Sequence, residues 1–242
     1  MLLKKHSSPN FDERPCDVAI DTIVIHSTHL SFKDSLARLC DPIAKVSCHY
    51  LIDRNGKAYQ LVEDKYRAWH AGKSYWRGVD GLNANSIGIE LVDTNSQNIR
   101  LKSFPAKQMQ ALIKLLCRLI KKYKIQGPNI VAHSDIAPNR KDDPGEYFDW
   151  KALFFRGIGV YHTVKLTKAM CKPFLTNRSS SSEIKKLQRL FKAYGYKIKV
   201  NGKFDKQTLE VLIAFKRHFN PRSLKQKCCT MVDYAILQEI CS

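Results

Sequence analysis

Two short apolar runs do most to limit what this chain can fold into. Thr22-Ile23-Val24-Ile25 is continuous and β-branched, and Ile130-Val131-Ala132 repeats the pattern a hundred residues later. Runs of this kind suit strands buried on both faces, and such strands sit in the middle of sheets covered by helices. Each run stops at a histidine, His26 and His133. A third run, Ser86-Ile87-Gly88-Ile89-Glu90-Leu91-Val92, is interrupted by Glu90. A carboxylate inside a central strand is costly unless it is paired or used.

The remaining pattern surrounds those strands with helices. Val46 to Asp53 and Lys57 to Val62 alternate as strands, and Asn55-Gly56 between them signals a hairpin. Ser31 is placed to cap a short helix that Asp41-Pro42 ends. Pro105 to Lys124 is amphipathic, with Met109, Leu112, Ile113, Leu116, Leu119 and Ile120 on one stripe, and Gly127-Pro128 is read as its stop. A short helix from Phe148 to Phe155 closes this part, and residues 1–20 lack periodicity and are expected to wrap the surface. Residues 161–182 end in Asn177-Arg178 and four serines and read as a linker. Beyond them lie three helical patterns, around Ile184–Phe191, Leu209–Phe215 and Met231–Ile240. The expected fold is α/β, a mixed central β-sheet flanked by helices, followed by a small three-helix domain. The expected domains are 1–160, a linker over 161–182, and 183–242.

Charge narrows the partners. The chain carries 41 Lys and Arg against 22 Asp and Glu, a net +19. From Cys171 onward the count is 15 against 5. That excess favours polyanions such as nucleic acid, anionic lipid or anionic wall polymer. No basic patch interleaved with aromatics, and no nucleic-acid-binding motif, supports the first. No apolar run approaches the roughly 18 residues of a membrane span, and no signal peptide is visible at the N-terminus. The eight cysteines contain no Cys-x-x-Cys pair, which argues against a zinc knuckle or a thioredoxin motif. Cys48 and Cys117 fall in apolar patterns and read as small core residues.

Chemistry concentrates between Ile130 and Glu146. His133 stands at the end of its strand, and a loop punctuated by Pro138 and Pro144 then carries Lys141, Asp142 and Asp143. With His26, this gives two imidazoles and a carboxylate, the ligand count of a catalytic zinc site that keeps a position for water. Glu90 is a candidate base for that water and Lys141 a candidate oxyanion stabiliser. The parts are those of a zinc amide hydrolase.

Six segments in order resemble the zinc-dependent N-acetylmuramoyl-L-alanine amidases, nearest the AmpD and AmiD branch of the amidase_2 family. They are Ile23–Thr28, Ser47–Ile52, Trp69-His70-Ala71-Gly72, Asn83–Glu90, Ala132–Pro138 and Lys141-Asp142-Asp143-Pro144-Gly145. The likeness spans roughly residues 15–160. Residues 183–220 resemble the three-helix peptidoglycan-binding domain through Leu187-Gln188, the Asn201–Asp205 turn and Thr208.

The resemblance implies hydrolysis of the amide between the lactyl group of N-acetylmuramic acid and L-alanine, in peptidoglycan or muropeptides. It implies one zinc per chain on His26, His133 and Asp143, with Glu90 as base and Lys141 on the oxyanion. Asp143 is taken over Asp142 because the family ligand immediately precedes Pro-Gly. His70 and Asn83 match positions that line the substrate groove. Eukaryotic peptidoglycan recognition proteins share the fold but place cysteine where Asp143 stands, so the aspartate favours the bacterial enzymes. The basic C-terminal domain is expected to bind anionic wall polymer. A cell-envelope or secreted location follows, with a cytoplasmic recycling role as the alternative. The rival reading is a protein that binds peptidoglycan without cleaving it.

Overall fold

The computed structural model describes residues 3–97, 99–165, 167 and 169–242. Its main sheet contains β1 (Leu3–Lys5), β2 (Thr22–Ser27), β3 (Tyr50–Ile52), β4 (Ala58–Gln60), β5 (Ser86–Leu91) and β6 (Ile130–Ala132), in the order β1-β4-β3-β5-β2-β6. The β3–β4 hairpin is antiparallel, while β3–β5, β5–β2 and β2–β6 pair in parallel. The sheet is therefore mixed and flanked by helices, as the apolar runs required.

Side-chain alternation explains how those runs are used. Ile23, Ile25, Ile87, Ile89, Leu91, Ile130 and Ala132 share a core with Leu112, Leu115, Leu116 and Leu119 of the long helix Ala106–Tyr123. With a period of two, Val24, His26, Gly88, Glu90 and Val131 face the other way. Val24 and Val131 enter a second core, built with Trp76, Leu82, Ile136 and the C-terminal helices. The sheet is thus buried on both faces by different parts of the chain.

Local signals set the helix ends. The Ser31 side chain accepts from Asp34 N–H and starts the helix Phe32–Cys40, a cap worth about 1 kcal/mol. The long helix ends at Lys124, which takes the left-handed conformation and bonds back to Ile120; Gly127–Asn129 forms a separate 3-10 turn. The stop thus comes before Gly127-Pro128. Residues 1–20 also depart from expectation, since Leu3–Lys5 adds an edge strand and Phe11–Glu13 pairs with Tyr66–Ala68. Strands of three residues are too short to display a period. Regular strand covers only Tyr50–Ile52 of the stretch expected from Val46, because Ser47 N–H instead bonds the Trp69 carbonyl. Cys117 lies exposed on the outer side of its helix, whereas Cys48 is buried, and all eight cysteines are free thiols.

The C-terminal helices are Ser181–Tyr194, Lys206–Phe219 and Met231–Cys241, capped by Ser180, Asp205 and Thr230. Gln188, fully buried, ties the first two together. Its Nε2 lies 2.9 Å from Asn201 Oδ1, 2.9 Å from the Lys203 carbonyl and 3.0 Å from Thr208 Oγ1, while its Oε1 accepts from Gly202 N–H. Described parts of the segment expected as a linker pack against the C-terminal helices. His162 bonds the Phe219 carbonyl, and Pro173–Leu175 pairs with Cys229–Thr230. Among the described residues no helix is long and apolar enough to cross a membrane.

Candidate active site

Parallel strands β2, β5 and β6 present their carboxyl ends at one edge of the sheet, where open α/β sheets build their sites. Register sets His26 of β2 opposite Glu90 of β5. Ala132 lies opposite Ile25, so His133, the next residue, arrives beside His26. The loop after His133 then returns Asp143 to the same point.

His26, His133 and Asp143 are all buried and converge. The two Nδ1 atoms are 2.9 Å apart, and Asp143 Oδ2 lies 3.1 Å from His133 Nδ1 and 3.3 Å from His26 Nδ1. Burial, then the neighbouring His133, pulls the His26 pKa down to about 4, which keeps the ring neutral at pH 7. Burial raises the Asp143 carboxyl, but the two histidines outweigh it and hold the group well below the usual range.

Hydrogen-bond bookkeeping fixes the tautomers. The Leu82 carbonyl only accepts, so the Ser86 hydroxyl donates to it. Ser86 Oγ, 3.3 Å from His70 Nε2, then accepts from that ring. His70 Nδ1 is left to accept from His26 Nε2 at 3.0 Å. His133 Nε2 faces the Ala71 carbonyl at 3.3 Å and donates to it. In neutral rings both Nδ1 atoms are then free to act as ligands. Two imidazole nitrogens and a carboxylate oxygen thus converge at 2.9–3.3 Å, an arrangement suited to a cation. Ligand atoms about 2.0–2.1 Å from a tetrahedral metal lie roughly 3.3 Å apart, close to the separations found here. The residues fit a divalent metal.

Glu90 and Lys141 line the same cavity of about 340 Å³ together with Ser27, His133 and Asp143. Glu90 Oε2 is buried and has no hydrogen-bond partner among the described residues. Burial, reinforced by the Asp143 charge, pushes its carboxyl well above the usual range, while Lys141 opposes the shift.

The two aspartates after Lys141 part company. Asp142 turns outward to Arg100, 3.6 Å away, and Arg100 is itself held 3.0 Å from buried Asp93. Asp143 turns inward. Arg140 donates to the carbonyls of Ala71 and Lys73, which clamps the loop of Asp143 onto the loop of His70. The resemblance places His70 and Asn83 in the substrate groove. His70 reaches the cavity wall, but both of its ring nitrogens face protein groups. Asn83 Oδ1 accepts from His70 N–H and Ala71 N–H, so it braces the loop. His70 thus sits behind His26 in a supporting position, and Asn83 supports the loop that carries His70. Sequence reasoning missed Ser86, Arg100, Asp135 and Arg140. Gly88 was the one available signal, since glycine within a strand often marks a close approach, and a Cβ there would overlap the His70 ring.

Comparison with known proteins agrees with this geometry. Residues 17–146 match the N-acetylmuramoyl-L-alanine amidase family, and residues 180–222 match a peptidoglycan-binding domain. The chain is 39% identical over 215 residues to the N-acetylmuramoyl-L-alanine amidase AmiD of Escherichia coli, covering 84% of this chain and 75% of that protein. The structure of E. coli AmiD in complex with anhydro-N-acetylmuramic acid-L-Ala-D-γ-Glu-L-Lys superposes with a TM-score of 0.76 at 35% identity, over 94% of this chain and 91% of that one. AmpDh3 of Pseudomonas aeruginosa superposes at 0.74 with 27% identity, over 99% and 98%. With His26, His133 and Asp143 converging at the carboxyl edge of its sheet, the chain belongs to the N-acetylmuramoyl-L-alanine amidase family and carries a peptidoglycan-binding-type domain in its C-terminal region.

Proposed function

We propose that this chain is a zinc-dependent amidase that hydrolyses the bond between the lactyl carbonyl of N-acetylmuramic acid and L-alanine. The observation that carries the reading is the convergence of two imidazole Nδ1 atoms and one carboxylate oxygen within 3.3 Å, beside a buried Glu90 oxygen that has no hydrogen-bond partner among the described residues. His26, His133 and Asp143 would hold the metal. Bound zinc lowers the pKa of water to about 7 and polarises a carbonyl. Glu90 takes the proton of the attacking water and passes it to the departing L-alanine nitrogen, and its raised pKa suits both transfers. Lys141 supplies positive charge where the carbonyl oxygen becomes an oxyanion.

Residues 1–160 form the catalytic domain in this proposal, 161–182 the connection, and 183–242 a wall-binding domain whose basic surface suits anionic polymer. That pairing fits a place in the cell envelope or outside the cell. Metal analysis of chain purified without chelator, with mass spectrometry of treated muropeptides, tests the reading. One equivalent of zinc and release of free stem peptide are expected. Metal-free protein that releases no peptide after zinc is added would overturn it. Binding with no release would instead support a recognition protein.

A further inference from the structure

One buried cluster lies outside the cavity and joins the two parts of the chain. Asp135 sits in the single-turn helix His133–Ile136, two residues after the candidate ligand His133. Its carboxylate is about 1% exposed and takes three donors. Ala132 N–H bonds Oδ2 at 2.9 Å, His218 Nδ1 bonds the same oxygen at 2.7 Å, and the Tyr196 hydroxyl bonds Oδ1 at 2.7 Å. The first donor is the residue before His133; the other two come from the C-terminal helical region.

Both donors are held in place by the N-terminal part. The Tyr196 ring packs edge-on against Trp76, 5.0 Å between centroids. Trp76 is anchored by its Nε1–H on the Pro128 carbonyl at 2.9 Å, and Arg77 N–H bonds the Gly195 carbonyl at 3.0 Å. The His218 ring stacks on Trp150 at 3.7 Å. His218 Nε2 is buried with no partner among the described residues, where this ring's hydrogen bond is the one to Asp135.

A buried carboxylate with three donors has a single favourable position, and losing one donor costs it the stability of a charge-assisted bond. Asp135 in turn fixes the Ala132 amide and therefore the turn from which His133 projects. We propose that the C-terminal helical region is a positioning element for His133, acting through Tyr196, His218 and Asp135. The proposal rests on the reading of His133 as a metal ligand. It assigns the C-terminal region a part in building the metal site, besides any binding of wall polymer.

The test uses the full chain with Tyr196→Phe and His218→Phe, each of which removes a donor and keeps a ring. Ile236→Val, in the C-terminal core and away from Asp135, controls for general loss of stability. Three quantities are read: hydrogen exchange of residues 132–137, the Zn2+ dissociation constant by chelator competition, and kcat against KM. Both ring variants are expected to speed exchange in that segment, weaken zinc about tenfold, within the range of outer-shell changes, and lower kcat with little change in KM. Ile236→Val is expected to do none of these. Wild-type exchange rates at 132–137 in Tyr196→Phe, or equal effects from Ile236→Val, overturn the proposal. Tyr196→Phe carries the test alone should His218→Phe fail to fold. A wild-type chain that takes up no zinc overturns the metal reading instead, and the exchange measurement then decides the positioning by itself.

Discussion

Arg100 Nη1 stands 3.6 Å from Asp142 Oδ2, and this contact sets Asp142 apart from the adjacent Asp143, the one the resemblance favours as ligand. Asp142 is half exposed in its ion pair, while Asp143 is buried against both histidines. Asp143→Asn is therefore expected to abolish tight zinc binding. Asp142→Asn is expected to leave the zinc dissociation constant within about threefold of wild type, because exposed ion pairs contribute little. Chelator competition on the two variants checks the assignment; the reverse order would transfer the ligand to Asp142.

His70 stands behind His26 and fixes which nitrogen of that ring carries the proton. His70→Phe keeps the volume and removes the acceptor. Zinc affinity is expected to fall about 10- to 100-fold, as for other partners that orient metal ligands. Gly88→Ala is expected to act on the same ring from below, because its Cβ overlaps His70. Overpacking of this kind costs about 1–3 kcal/mol. Thermal melts and zinc titration of Gly88→Ala would show both losses; a variant with wild-type melting and affinity would contradict the close approach.

His49 gives the fold a dependence on pH. It is fully buried, and desolvation followed by the nearby Arg14 guanidinium pulls its pKa down to about 3. An unfolded histidine has a pKa near 6.5. Below that value the unfolded chain binds a proton that the folded chain refuses, so stability falls as pH drops from 6.5 toward 3. One such group costs about 2 kcal/mol at pH 5. His49→Gln, which can still accept from Gly88 N–H, is expected to melt with a shallower pH slope between pH 7 and 4.5. Parallel slopes for the two proteins would rule out His49 as a contributor.

The two sequence-defined parts share one core, in which Val24, Val131 and Trp76 pack with Leu187, Phe191 and Phe215. Calorimetry is expected to give a single transition whose van't Hoff and calorimetric enthalpies agree. Trp76 is 2% exposed, and Trp76→Ala is expected to cost roughly 3–5 kcal/mol. Its expected effect is to split that transition in two as the C-terminal helices separate. Two resolved transitions in the wild-type chain would mean that the parts fold independently.

Much of the candidate site was legible because it sits on strands. The runs ending at His26 and His133 mark buried parallel strands by composition alone, and parallel strands share one carboxyl edge. Glu90 drew notice because a carboxylate is expensive inside such a run. Arg100, Arg140 and Ser86 gave no such sign, since each acts through a loop or a single contact to a partner that no periodicity reveals. His70 and Asn83 were recognised as residues that matter, and their contacts place His70 in support of His26 and Asn83 in support of the His70 loop.

Period, caps and short motifs are local properties of the chain, and they were enough to read the central strands, the main helices, the family and the candidate ligands from the residues. Tertiary structure alone decided the rest. It turned Asp143 inward and Asp142 outward, set the tautomers through a chain from Leu82 to His26, and packed the C-terminal helices onto the turn of His133. Each of these depends on groups distant in sequence that meet at bonding distance, and hydrogen bonds and close packing act only over that distance.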